Sequence, residues 1–184
     1  MSNGMHTRLE SAATAEGIFD QVCQLYASVF GAPPLNRSPE KLSAQRSSLR
    51  RLIADPTFGM ATAWDGIMLI GFAYGYALGS DTHWWDEFLA PVAEEITREW
   101  DGRTFAIIDM AIAHSHQGHG VGRRLLETLL ASRPEERASL SVVPDNDNAQ
   151  GFYRHIGWQY IGRVKGAAHH AAPFFDKYTL PLPR

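Results

Sequence analysis

Cysteine is nearly absent from this chain: one residue in 184, Cys23, so no internal disulfide can form, and the composition fits a reducing compartment. That thiol lies within an apolar helical repeat, where a small buried side chain explains it better than a nucleophile does. Long apolar runs are missing too. The charge-free stretch 66–80 is punctuated by glycine and falls short of the ~20 residues a membrane-crossing helix needs. The first ten residues, MSNGMHTRLE, have neither a basic start nor an apolar core, so no signal peptide is expected. Nor is there a long Lys/Arg run. With 17 basic against 20 acidic residues and a net charge of −3, the chain lacks the footprint that nucleic-acid phosphates demand. The expectation is a cytoplasmic protein whose partner is neither nucleic acid nor membrane. No internal repeat or low-complexity linker interrupts it, so 1–184 reads as a single domain.

What is there is an orderly succession of helical and extended patterns. Over 16–30, Ile18, Phe19, Val22, Leu25, Tyr26, Val29 and Phe30 recur at helical spacing until Gly31 and Pro33-Pro34 end the run. Ser38-Pro39-Glu40 opens a second helix with a cap, a first-turn proline and an acid at the positive dipole end; Leu42, Leu49, Leu52 and Ile53 line its inner face. Residues 58–64 and 67–78 flank Asp65-Gly66, a hairpin signature. In 81–102, Pro91 is where a short helix carrying Val92 and Ile96 would open. Trp84, Trp85 and Phe88 are too many large apolar groups for a solvent loop, and either pack on the core or wall a binding cleft. A strand at 104–112, a helix from Val121 to the Pro134 stop, a strand at 138–143, a helix behind Asn146 and strands at 158–164 and 174–180 complete the chain. That order predicts an α/β (α+β) fold, one mixed and mostly antiparallel sheet with helices on its faces.

The stretch 104–124, TFAIIDMAIAHSHQGHGVGRR, reads strand, glycine-rich turn, helix. Amides freed by such a turn, with the positive end of the helix dipole, suit phosphate oxygens. A nucleoside triphosphate loop would need Lys after the last glycine, where Arg123 and Arg124 stand. A dinucleotide turn would need G-x-G-x-x-G, whereas Gly118, Gly120 and Gly122 are spaced G-x-G-x-G and lie late in the chain. His114, His116 and His119 match no strong zinc spacing, so no metal is expected.

Gln117-x-x-Gly120-x-Gly122 between strand and helix resembles the acyl-CoA pyrophosphate loop of the GNAT superfamily of N-acetyltransferases. Downstream, Asn146-x-x-Ala149-x-x-Phe152-Tyr153-x-x-x-Gly157-Trp158 resembles that family's second motif. The two together are far more specific than either alone. The resemblance implies a GNAT-like fold and acetyl-CoA as acyl donor, its pyrophosphate on the amides of Gln117, Gly118, His119, Gly120, Val121, Gly122 and Arg123. It also implies that Met110, Ala111 and Ile112 offer an unpaired strand edge to the pantetheine. The acceptor is then a primary amine on a small molecule or a peptide, and a homodimer is the assembly the family suggests. A catalytically silent acyl-CoA-binding module is the alternative.

Acetyl transfer needs a neutral amine, a stabilised oxyanion and a proton for the leaving thiolate. An alkyl ammonium is only about 0.04% free base at pH 7, so a general base helps. Asp109 is the sole acid in the central strand and either faces the cleft as that base or is a structural carboxylate with a fixed donor. Glu94, Glu95, His83, His169 and His170 are weaker candidates. A backbone N–H of 110–112 suits the oxyanion. Tyr153 sits where the family has its general-acid tyrosine, against which stands plain aromatic packing. Asn146 caps its helix, binds the pantetheine, or does both. Trp84, Trp85, Tyr74 and His169 are the substrate-binding candidates, and an acidic rim of Asp81, Asp86, Glu87, Glu94, Glu95 and Glu99 either suits a cationic acceptor or is a solvated face.

Overall fold

A computed structural model describes residues 4–167, 170 and 172–183. Its elements run β1 (His6–Glu10), α1 (Ala12–Gly17), α2 (Phe19–Phe30), α3 (Pro39–Ile53), β2 (Gly59–Asp65), β3 (Met68–Ala77), α4 (Glu94–Thr97), β4 (Thr104–Ile112), a 3-10 turn (His114–His116), α5 (Val121–Leu130), β5 (Arg137–Val142), α6 (Asp147–His155), β6 (Gln159–Lys165) and β7 (Phe174–Pro181). The seven strands form one sheet in the order β1-β2-β3-β4-β5-β7-β6. The β4–β5 pair is parallel, while β1–β2, β2–β3, β5–β7 and β6–β7 are antiparallel, the mixed and mostly antiparallel sheet the sequence predicts. No helix among the described residues is long and apolar enough to cross a membrane. The chain forms two compact units, Met1–Tyr76 with Ile108–Ser132 and Ala77–Ile107 with Arg133–Arg184.

In the first unit the single helix predicted over 16–30 is two. Ser11 caps α1 by accepting from the Thr14 amide, and Ile18, with φ −106° and ψ 11°, breaks the run before α2. Phe19, Val22, Cys23 and Tyr26 of α2 then meet Leu49 and Ile53 of α3 over Met60, Phe72, Tyr74 and Ala111 of the strands. Each large apolar side chain so buried contributes about 1.5–3 kcal/mol. Ser38 caps α3 through the Lys41 amide, with Pro39 in its first turn, as its sequence dictates. Strand β1 was not anticipated. His6–Glu10 carries no clean alternation, and its place is set by pairing with β2, from His6↔Trp64 to Glu10↔Met60. Gly71 of β3 is fixed by close approach: a Cβ there would meet Leu125 Cδ1 at 3.0 Å and the Ala111 carbonyl at 3.3 Å.

In the second unit β4 begins a parallel ladder with β5, Thr104↔Arg137 to Ile107↔Leu140. Helix α6 lies on the face of β7 that carries Asp176 and Tyr178: Gln150 donates to Asp176 at 2.8 Å and accepts from the Tyr178 hydroxyl at 2.5 Å. Residues 80–103 cover the other face. Trp85 is buried, donating to Glu99 at 2.8 Å with Arg137 over its ring, so it belongs to the packing. Phe88 bridges to Val164 of β6, its ring seated where a Cβ on Gly162 would meet it at 3.0 Å. The short helix is Glu94–Thr97, starting later than Pro91 because Ala93 supplies the last extended residue. Glu99 turns inward to Thr104 and Arg137 and leaves the acidic rim, while Glu94 pairs with Arg98 and Asp86 with His83.

Lys177 faces this covered side, its ammonium 3.4 Å from the Trp84 ring centre and 2.9 Å from Ser141 Oγ. Burial pulls its pKa down from 10.5 to about 7. Between those values the unfolded chain binds more protons, so this group makes stability rise with pH from about 7 to 10.5 and costs most below 7. Lys177→Met is expected to stabilise the fold at pH 7, with a ceiling of about 5 kcal/mol offset by the lost Trp84 and Ser141 contacts. Urea unfolding at pH 6.5 and 9.5 checks it, the gain shrinking at the higher pH.

Candidate active site

Asp109 lies partly buried near the end of β4, and the Tyr74 hydroxyl of β3 donates to its Oδ2. Tyr74 is fully buried, and Gln45 Nε2 of α3 donates to its oxygen at 2.9 Å. The three form a chain, Gln45 to Tyr74 to Asp109. Burial pushes the Asp109 carboxyl up from 3.8 to about 6, against the Tyr74 hydrogen bond and the Arg37 charge, which lower it. Burial, joined by the Asp109 charge and hydrogen bond, in turn holds the Tyr74 phenol well above its usual range, so it stays a donor. The carboxylate therefore has a fixed donor and a near-neutral titration at once. Tyr74, a substrate-binding candidate from sequence, is Asp109's partner in the structure.

Beyond Ile112 the Ala113 amide still bonds Ile70 of β3 at 2.8 Å, and Gln117 Nε2 ties the turn back by donating to the Ile112 carbonyl at 2.9 Å. Gly118 and Gly120 have φ of +77° and +76°, a conformation other L-residues rarely adopt, and open space surrounds both. Gly120 is the N-cap of α5 and no side chain caps it, so the amides of Val121, Gly122 and Arg123 open the helix without intrahelical partners. His119 is exposed, and its carbonyl accepts from Arg124 at 3.2 Å. Arg123 pairs with Glu127 on the surface, and His116 with Asp65 at 3.5 Å. Met110 and Ile112 are partly buried and Ala111 is buried. A surface groove of about 560 Å³ on α3, lined by Phe19, Ser43, Arg46, Ser47, Arg50 and Arg51, contains none of these residues.

In the second unit Asn146 is a helix cap, its Oδ1 accepting from the Ala149 amide at 3.2 Å. Tyr153 is buried on the inner face of α6, ring to ring with Trp158 at 5.8 Å and Tyr178 at 6.4 Å. Trp84 is half-buried and donates to Ser139 at 2.8 Å. His170 Nδ1 accepts from the Ala167 amide at 3.0 Å, and His169 lies outside the described residues.

Sequence reasoning missed Gln45 and Arg37. For Gln45 a signal existed: it sits among Leu42, Leu49 and Leu52 on the inner face of its helix, where a polar side chain needs a partner. Arg37 offered only its position, after the aromatic pair Tyr26 and Phe30.

A profile of the acetyltransferase (GNAT) family matches residues 19–158, and the chain belongs to that family. The curated N-alpha-acetyltransferase RimI of Mycobacterium tuberculosis is 37% identical over 89 residues, covering 43% of this chain and 51% of RimI. The chain spans about half the length of the curated relatives it matches. Among solved structures, a GNAT-family protein of Desulfovibrio desulfuricans superposes with a TM-score of 0.68 at 14% identity, over 97% of this chain and 99% of that one. Arabidopsis thaliana NAA60 in complex with acetyl-CoA gives 0.67 at 13% identity, over 97% and 98%. At such identities the likeness is one of fold.

Proposed function

We propose that the protein is an acetyl-CoA-dependent N-acetyltransferase that moves the acetyl group to a primary amine by direct attack on the thioester, 1–184 acting as one domain in the cytoplasm. The observation that carries this reading is the turn after β4, where two exposed, left-handed glycines lead into a helix start that no side chain caps. Amides of 118–123 would hold the pyrophosphate, and the 110–112 edge would hold the pantetheine and lend an N–H to the oxyanion. Asp109 takes the proton of the acceptor ammonium, directly or through water; the amine attacks the carbonyl carbon, the C–S bond breaks as Tyr153 gives its proton to the departing thiolate, and the second proton on the attacking nitrogen leaves to restore the Tyr153 phenol while Asp109 releases its own to solvent. Asn146 keeps its capping role and adds a contact to the pantetheine arm. Trp84, half-buried and bonded to Ser139, is the aromatic candidate for binding the acceptor. A relative named for N-alpha-acetyl transfer, and a fold shared with a structure holding acetyl-CoA, support the donor and the reaction.

The test is release of free CoA thiol across a panel of small amines and short peptides. Amine-stimulated release is expected. Tight CoA binding with no stimulated release would make the protein a silent acyl-CoA-binding module.

A further inference from the structure

Gln45 is buried on the inner face of α3, where its Nε2 donates to the Tyr74 hydroxyl at 2.9 Å and its Oε1 has no partner among the described residues. A buried carbonyl oxygen left unpaired is costly, and an apolar residue at this position would avoid that cost. What the amide does for Tyr74 explains its presence. The Tyr74 ring is stacked on Phe72 at 5.5 Å and tilted to Phe58 at 6.2 Å, so the phenolic oxygen is fixed and only its hydrogen can choose a direction. Asp109 Oδ2 is one acceptor for that hydrogen. The other would be Gln45 Oε1, if the amide were turned over. With Nε2 facing the hydroxyl instead, Tyr74 accepts from Gln45 and gives its one hydrogen to Asp109. All three residues belong to the first unit.

We propose that Gln45 is a positioning residue for acetyl transfer: by donating to Tyr74 it commits the hydroxyl to Asp109, which keeps the carboxylate ionised and ready for the acceptor ammonium. This rests on the acetyltransferase reading above, with Asp109 as its base. Gln45 acts through Tyr74 alone. Once Asp109 has taken a proton, the chain can reverse: the carboxylic acid donates to the Tyr74 oxygen, and Tyr74 donates to Oε1 of a turned amide. Glutamine, donor and acceptor in one side chain, serves both states, as neither an apolar residue nor an ionised glutamate can.

The experiment is the profile of log(kcat/KM) from about pH 4.5 to 8, with one acceptor and saturating acetyl-CoA, for the native enzyme and for Gln45→Met, Gln45→Glu, Tyr74→Phe and the double variant Gln45→Met/Tyr74→Phe. The acid limb belongs to Asp109. Of the other ionisable groups acting on the pair, Cys23 of α2 and Tyr74 itself are pushed above 9.0 and 10.0, and Arg37 of the α2–α3 loop stays a guanidinium. Gln45→Met is expected to move the limb up by about half a pH unit, because the carboxylate loses support relayed by Tyr74, with the acetyl-CoA KM unchanged. Gln45→Glu, which brings a negative charge to the same hydroxyl, moves it further up. On a Tyr74→Phe background Gln45→Met moves it no further, since the hydroxyl it acts through is gone. A carbon-13 NMR titration of the Asp109 carboxyl reads the same shifts without turnover, and urea unfolding reports any loss of stability separately. An unmoved limb in an active Gln45→Met or Gln45→Glu enzyme would overturn the role of Gln45 alone, and so would an equal shift with and without the Tyr74 hydroxyl. Absence of stimulated thiol release from the native enzyme with every amine overturns the transferase reading, and this role with it.

Discussion

Replacing Asp109 by asparagine is expected to lower kcat/KM for the amine about a hundredfold at pH 7, with the KM for acetyl-CoA unchanged. The carboxyl titrates near 6 because burial outweighs the Tyr74 hydrogen bond and the Arg37 charge. In the native enzyme log(kcat/KM) therefore carries a limb of unit slope below about pH 6, where Asp109 is protonated and idle, and Asp109→Asn loses that limb. Stability moves the opposite way. A folded-state pKa of about 6 against an ordinary 3.8 means the folded chain binds more protons between those values, so this group's contribution falls as pH rises through the window. At pH 7 the neutral asparagine escapes that penalty, a gain of at most about 3 kcal/mol. Activity down with stability up is the signature of a functional carboxylate. A structural one would lose stability in the variant and leave the pH profile unaltered, as urea unfolding and the rate profile together would show.

Tyr153→Phe carries the second large effect, a fall in kcat of at least about tenfold with acetyl-CoA affinity nearly unchanged. Tyr153 is only 7% exposed and packed against Phe152, Trp158 and Tyr178, so removing one oxygen leaves its ring contacts in place. A rate loss then reports the hydroxyl and not a collapsed aromatic cluster. Because the proton goes to the departing thiolate, the loss appears in kcat, and calorimetric titration of acetyl-CoA should give the native Kd. An unaltered kcat would remove the general-acid role and leave Tyr153 as packing alone.

Local signals made the glycine turn, the Ser38 cap and the β2–β3 hairpin legible, although the reversal is Gly66-Ile67 rather than Asp65-Gly66, because Asp65 already pairs with Met68. Each depends on what a few consecutive residues can do with their own backbone: a left-handed glycine, an oxygen reaching an amide three residues on, a two-residue reversal. The family resemblance, built from two such local patterns, led to the fold. Strand β1 was invisible because His6–Glu10 takes its conformation from its partner, β2. The break at Ile18 was hidden because apolar spacing continues through it while the backbone does not. Trp85 stood even between core and cleft, and only Glu99 and Arg137, remote in sequence, put it inside. Asp109 was legible as an anomaly in an apolar strand, but what makes it titrate near neutrality is the long-range chain from Gln45 through Tyr74.

The measurement closest to the central claim is transfer of a carbon-13-labelled acetyl group from acetyl-CoA to an amine, followed by mass spectrometry of acceptor and thiol together. Labelled N-acetyl product equal in amount to the free CoA released is expected, with Asp109→Asn and Tyr153→Phe slowing both in step. Labelled acetate with no N-acetyl product, or donor that stays bound and intact whatever amine is offered, would contradict it.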